Sequence, residues 1–396
     1  YIHVTIIPNL RTTNELKTKP TQHSVDTLRS RGIQPDILVC RTEKNLPSSV
    51  REKLSLFTDV DADCVIQCQD VQHLYEVPLF MEQEGLAGRV LERLHLPNTE
   101  PDLHAWKELV DRVKRPSRQV TVAIVGKYVM LSDAYISVVE SLKHAGARHS
   151  CQVNIKWVLS EDVEKHGAKE YLTDVDGILV PGGFGDRGIE GKIMAAEYAR
   201  TQKIPYLGLC LGMQIAVIEF ARNVANMAKA HSTEFDAKSP FPVIDLMPDQ
   251  HNVTHKGGTM RLGRYPCVLT EGSVAARVYG STEISERHRH RYEVNNDLRE
   301  ALSKHGLLFS GLSPDQRLVE MIELPDHPFF VACQFHPELK SRPDNAHPLF
   351  VGFVEAMITE SERRAIATGK ENPKPEIAAS SVKTNPKASI AKASNN

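Results

Sequence analysis

The run Ile204-Pro205-Tyr206-Leu207-Gly208-Leu209-Cys210-Leu211-Gly212-Met213-Gln214 constrains this chain more than any other stretch. Ile204 to Leu209 reads as the end of a buried strand. Met213 to Val224 reads as a helix, with Ile215, Ala216, Ile218 and Ala221 giving an apolar stripe. Between them, Gly208-x-Cys210-x-Gly212 predicts a strand-to-helix turn too tight for side chains at the two glycines. Such a turn lifts Cys210 clear of a sheet and sets it at a helix N-terminus, where the dipole favours the thiolate. An isolated cysteine is more often a small buried side chain. The flanking glycines point instead to a nucleophile elbow with sulfur in place of the serine hydroxyl.

The surroundings supply a sheet for that elbow. Val120 to Gly126 is a continuous apolar strand, followed by a helix from Ala134 to Ala145 and a strand at Val153–Val158. Val175 to Val180 is the next strand and runs into Pro181-Gly182-Gly183-Phe184-Gly185. Fully apolar strands alternating with helices predict a doubly wound parallel sheet buried on both faces. Past Glu234 the strands shorten; Phe329–Phe335 is the last strong strand and Pro348 to Glu360 the last core helix. Upstream lies a second α/β pattern, with strands at Ile2–Ile7, Asp36–Cys40 and Cys64–Gln67 and helices at Thr21–Arg31 and Pro47–Leu56. Val71 to Val113 is helical in pattern. The fold class is therefore α/β with two domains, each on a mainly parallel sheet flanked by helices. The expected boundaries are 1–113, a basic Pro-broken linker at 114–119, 120–365, and a disordered tail at 366–396 poor in aromatics.

Charge and cysteine usage exclude several classes. With 48 basic and 50 acidic residues the net charge is -2, so no overall field draws the chain to nucleic acid or an anionic membrane. No apolar run approaches the roughly 18 residues of a membrane span. Seven scattered cysteines imply a reducing, cytoplasmic setting and not a disulfide framework. The chain opens at Tyr1 inside an apolar strand, without an initiator Met, which leads us to expect the remainder of something longer.

Gln334-Phe335-His336-Pro337-Glu338 completes the reading of Cys210. On an extended backbone His336 and Glu338 point the same way. A histidine beside a carboxylate is the base-plus-orienter pair that activates a thiol and protonates an amine leaving group. The amides of Gly182-Gly183, with that of Leu211, suit an oxyanion hole. Gly188 to Ile193 has the wrong spacing for a phosphate loop, with Asp186 where the first Gly belongs.

PGGFG after a strand, LGLCLGMQ and QFHPE, in this order, resemble class I glutamine amidotransferases, and imply that fold for the C-terminal domain. Lys17–Gln22 (KTKPTQ), Ser232-Thr233-Glu234-Phe235, Gly257–Gly263 (GGTMRLG) and Glu286–Asn295 (ERHRHRYEVN) narrow the resemblance to the CTP synthases. It covers Tyr1 to about Glu360. The resemblance implies a C–N ligase that converts UTP to CTP with ATP, Mg²⁺ and ammonia from glutamine, activated by GTP. It implies Cys210 as nucleophile, His336 as base and Glu338 as orienter. Gly183, Leu211, Gly212, Met213 and Gln214 would surround the glutamine, with Glu234 and Arg291 on its amino and carboxylate groups. UTP, or product CTP, would sit at Lys17, Thr18, Lys19, Pro20, Thr21, Gln22 and Lys53, and adenine at Gln69, Asp70 and Val71. No metal ligand is expected in this chain. The ATP phosphate loop and the Mg²⁺ carboxylates of the resemblance lie upstream, so the chain is expected to lack the N-terminal part of the synthetase domain. A homotetramer built as a dimer of dimers, and filaments, are also implied. The rivals are another class I amidotransferase, such as a guanine- or aminobenzoate-forming enzyme, and a non-catalytic polymer-forming protein.

Overall fold

The computed structural model describes residues 1–10, 12–129, 131–246 and 260–369. Among them, nine strands of the C-terminal domain form one sheet. Five are parallel, in the order Phe330–Cys333, Tyr206–Leu209, Gly177–Val180, Arg118–Gly126, Cys151–Leu159. Alternate residues of one strand serve two cores. Ala123 and Val125 pack with the helices Ile189–Gln202 and Leu211–Asn223. Val122 and Ile124 pack with Ile136–Arg148 and Pro348–Thr368. Burial on both faces is why these strands read as unbroken apolar runs.

The other four strands are antiparallel and extend the sheet past Phe330–Cys333. They run Val319–Glu323, Leu308–Leu312, Arg261–Leu269 and Glu283–His290. The doubly wound pattern therefore describes only the parallel half. Val319–Glu323 is buried throughout, whereas the edge strand Glu283–His290 mixes polar and apolar residues, since it covers one face only. Glu283–His290 shows it: Glu286, His288 and His290 are buried while Arg287 and Arg289 are exposed. The charged string that follows Glu286 is thus a period-two strand pattern.

In the first domain Ile2–Ile6, Ile37–Thr42 and Val65–Gln69 form a parallel sheet. The helices Lys19–Arg29 and Ser48–Thr58 follow the first two strands. The last helix of this domain, His104–Lys114, runs to the strand that opens at Arg118, so the connection is 115–117 and shorter than the expected 114–119. Tyr75 Oη donates to Glu140 across the two domains at 2.7 Å. The C-terminal helix continues to Thr368, past the expected end of the core at 365. The rest of the tail and Gly257–Thr259 of the GGTMRLG segment lie outside the described residues. No described helix is long and apolar enough to cross a membrane.

Candidate active site

The elbow forms where its sequence places it. Cys210 has φ 51° and ψ −100°, a backbone conformation rare for a non-glycine residue. Its surroundings hold it there. The Cys210 amide donates to the Cys333 carbonyl at 2.7 Å, and the Met213 amide donates to the Cys210 carbonyl at 3.1 Å. A Cβ at Gly208 would stand 2.7 Å from the Gly212 backbone, and one at Gly212 only 2.1 Å from the Val180 carbonyl oxygen. Both glycines are therefore needed by contact and not by φ. Beneath the turn, Tyr206 Oη donates to the Gly212 carbonyl at 2.9 Å. Cys210 immediately precedes the helix Leu211–Asn223 and is 5% exposed.

Phe330–Cys333 lies parallel to the elbow strand, with Cys333 opposite Leu209, so the chain leaving it passes Cys210. Here the expected extended backbone is wrong. The strand stops at Cys333, and a 3-10 turn spans Pro337–Leu339 with His336 just before it. Pro337 suits the first position of such a turn, where an N–H has no partner. His336 Nδ1 and Glu338 Oε1 meet across the turn at 2.7 Å. The His336 amide donates to the Arg287 carbonyl at 2.8 Å, which ties the loop to the edge strand. Burial alone would lower the imidazole pKa. The Cys210 sulfur and the Glu338 carboxylate outweigh it and raise His336 to about 10. His336 is thus an imidazolium at neutral pH.

A small cavity of about 80 Å³ opens beside Cys210. Gly183, Leu211, Gln214, Glu234 and Arg291 all line it, although they come from four separate segments. Gly212 and Met213 do not: they pack into the core behind the turn. Burial raises the Glu234 pKa, opposed by the Gly185 amide and the charges of Lys127 and Arg291. Phe184, Met260, His290 and Tyr292 share the lining and were not expected. His290 belongs to a buried network, with His288 Nδ1 2.9 Å from His290 Nε2 and Arg261 Nη2 2.6 Å from Glu320. Burial, with the Arg261 charge, pushes His288 down to about 2 and His290 to about 3, so both are neutral. Its only sequence signal is the alternation along Glu286–His290. A larger cavity of about 900 Å³ lies between the domains, lined by Val71, Tyr75, Lys114 and Glu140 among others, and holds none of the triad.

The other expected residues gather at the carboxyl edge of the first sheet, where open α/β sheets bind ligands. Lys19 opens a helix, and Thr18 precedes it. Lys17 pairs with Glu15 at 2.6 Å, and Lys17 and then Lys53 hold the Glu15 carboxyl low, which places both lysines at this corner. Gln22 Nε2 donates to Thr18 Oγ1 at 3.2 Å, and Pro20 is exposed. Thr21 is fully buried and donates to the Ile6 carbonyl, so its hydroxyl fastens helix to strand. Gln69 ends the strand Val65–Gln69; Asp70 pairs with Arg41 at 3.4 Å, and Val71 follows. Among the described residues, Asp61, Asp63 and Cys64 form the compact acidic group, but Arg93 and Arg89 already pair its carboxylates.

Comparison with known proteins agrees with both halves. A family model described as glutamine amidotransferase class-I matches residues 130–356, and one described as CTP synthase N-terminus matches residues 1–96. The expectation that the N-terminal part of the synthetase domain is lacking is not borne out by that second match. The CTP synthase of Caldanaerobacter subterraneus subsp. tengcongensis is 62% identical over 358 residues, covering 90% of this chain and 67% of the relative. That of Methanocaldococcus jannaschii is 56% identical over 366 residues, covering 91% and 68%. The solved glutaminase domain of Trypanosoma brucei CTPS with bound acivicin is 38% identical, with a TM-score of 0.57, covering 65% of this chain and 97% of that one. The two model matches and the extent of identity show that the chain belongs to the CTP synthase family, ligases that make CTP and use glutamine.

Proposed function

We propose that Cys210, His336 and Glu338 perform the glutamine hydrolysis that supplies the ligase with ammonia. The Cys210 thiolate attacks the side-chain amide carbon, and the amide oxygen takes the negative charge. The amides of Gly183 and Leu211 face that oxygen; the Leu211 N–H, at the start of its helix, has no intrahelical partner. The imidazolium of His336 gives its proton to the leaving nitrogen, the C–N bond breaks, and ammonia departs from a thioester. His336, now neutral, takes a proton from water, which attacks the thioester and releases glutamate. Glu338 keeps Nδ1 occupied, so Nε2 is the nitrogen that exchanges protons. Glu234 and Arg291 hold the substrate's α-amino and α-carboxylate groups, an anion and a fork-shaped cation for a zwitterion.

The observation that carries this reading is the convergence of five lining residues from four separate segments on the Cys210 cavity beside the 2.7 Å His336–Glu338 pair. Glutamate release from glutamine by the unaltered chain and by Cys210→Ala tests it. Equal rates would overturn it.

At the carboxyl edge of the first sheet we assign Lys17, Thr18, Lys19, Gln22 and Lys53 to UTP or CTP phosphates, and Gln69 to Val71 to adenine. Two ammonium groups at a helix start favour a polyanion. ATP with Mg²⁺ supplies phosphoryl activation of the uracil ring when bound. The arginine-paired Asp61, Asp63 and Cys64 do not fit as that ion's site, so no step is assigned to it. GTP activation, a homotetramer that stacks into filaments, and a cytoplasmic location complete the proposal. Mass photometry with and without UTP and ATP tests the assembly.

A further inference from the structure

Gln334 is fully buried one residue beyond Cys333, and its side-chain amide lies against the nucleophile, outside the cavity lining. Its Nε2 lies 3.5 Å from Cys210 Sγ, and its Oε1 lies 3.2 Å from Gln214 Nε2. Gln214, also buried, directs the same Nε2 at the Tyr292 carbonyl, 3.2 Å away. The two amides in series fix each other's orientation. A carbonyl oxygen only accepts, so the Gln214 atom facing Tyr292 is nitrogen. That nitrogen also meets Gln334, so the Gln334 atom there is oxygen. The remaining Gln334 atom, facing sulfur, is therefore an N–H donor. The backbones are clamped as well: the Gln334 amide donates to the Glu320 carbonyl at 2.8 Å, and the Cys210 amide to Cys333 at 2.7 Å. A donor held against a sulfur favours the charged form of that sulfur.

We propose that Gln334 is a catalytic residue of the glutaminase centre: its amide N–H stabilises the Cys210 thiolate, and through Gln214 that contact is linked to the segment carrying Arg291 and Tyr292. This deepens the proposed function and rests on Cys210 being the nucleophile. Other ionisable groups act on the same sulfur. His336 faces it with Glu338 behind, Cys333 is buried nearby, and Glu234, His290, Arg291 and Tyr292 share the cavity. All of them remain in place when Gln334 alone is changed.

The test is the pH profile of Cys210 alkylation by iodoacetamide in the full chain, read by mass spectrometry. Gln334→Met removes the donor at similar size, and Gln334→Glu sets an acceptor against the sulfur. Thermal melting identifies folded variants. The midpoint of alkylation is expected to move to higher pH in both, further for Gln334→Glu, with the neutral-pH rate falling roughly tenfold. An unmoved midpoint in a folded variant overturns the proposal. If neither variant folds, the unaltered chain decides. The Gln334 side-chain amide resonance, in a selectively labelled sample, is expected to shift with the Cys210 midpoint and to stop once Cys210 is alkylated. A resonance that ignores Cys210 also overturns it. Alkylation needs no glutamine turnover, so this result stands apart from any failure of Cys210→Ala to lose hydrolysis.

Discussion

His336 Nδ1 and Glu338 Oε1 lie 2.7 Å apart across a 3-10 turn that begins at Pro337. The carboxylate fixes the ring by one nitrogen. The other, Nε2, is buried and left for the Cys210 sulfur, which helps to raise the imidazole pKa. An orienter of this kind sharpens proton transfer but does not perform it. His336→Ala is expected to lower glutamine hydrolysis by roughly a thousandfold or more, and Glu338→Ala by roughly ten- to a hundredfold. Steady-state glutaminase rates check this. A glutamate variant more damaged than the histidine variant would reverse the two roles.

An electrophilic glutamine analogue should label Cys210 alone among the seven cysteines. Burial pushes Cys40 and Cys151 up to about 12, and raises Cys267 and Cys333 as well, so these stay thiols at neutral pH. Peptide mapping by mass spectrometry reads the outcome. Labelling at Cys333 or Cys267 in place of Cys210 would remove the nucleophile assignment.

The glycines of the site differ in what they tolerate. A methyl at Gly212 meets the Val180 carbonyl oxygen at 2.1 Å, whereas one at Gly183 meets Leu211 Cδ2 at an ordinary 3.5 Å. Gly212→Ala should cost about 3 kcal/mol or more in stability, because backbone has to move. Gly183→Ala should keep the fold and weaken glutamine binding. Chemical denaturation compares them; equal stability of the two variants would show that the turn is looser than its contacts imply.

The pH dependence of stability follows from His336. Its folded pKa of about 10 lies above the ordinary imidazole value of 6.5. A raised pKa contributes stability that is full below 6.5 and declines as pH rises towards 10. The melting temperature of the unaltered chain should exceed that of His336→Gln most near the lower limit, and the gap should close as the upper one is approached. A gap that widens with pH would mean that the imidazolium is not held.

For the first domain, Lys17→Ala should weaken UTP binding roughly tenfold, as expected for one lost charge-assisted phosphate contact. Calorimetry measures this directly. Unchanged affinity would return Lys17 to a solvated partner of Glu15.

The elbow was legible because its constraints are local. Gly208, Cys210 and Gly212 lie within one turn, and the clash that excludes side chains there involves backbone only a few residues away or on the adjacent strand. The apolar strands of the parallel half were legible for a similar reason, since burial on both faces leaves an unbroken run. The outer antiparallel strands were not, because one-sided burial mixes charges into Arg261–Leu269 and Glu283–His290. His336 and Glu338 were identified as a pair, yet on the wrong backbone: the strand ends before them, and the hydrogen bond from the His336 amide to the Arg287 carbonyl, on a distant strand, holds the loop that leads into the 3-10 turn. Arg291 and Glu234 came from family resemblance, and Gln334 received no role. What brings Gln334 to Cys210 is strand pairing across 124 positions, together with a buried amide whose orientation depends on Gln214 and Tyr292. Contacts of that kind leave no periodicity in the chain, because packing of already formed elements, and not local backbone preference, selects them.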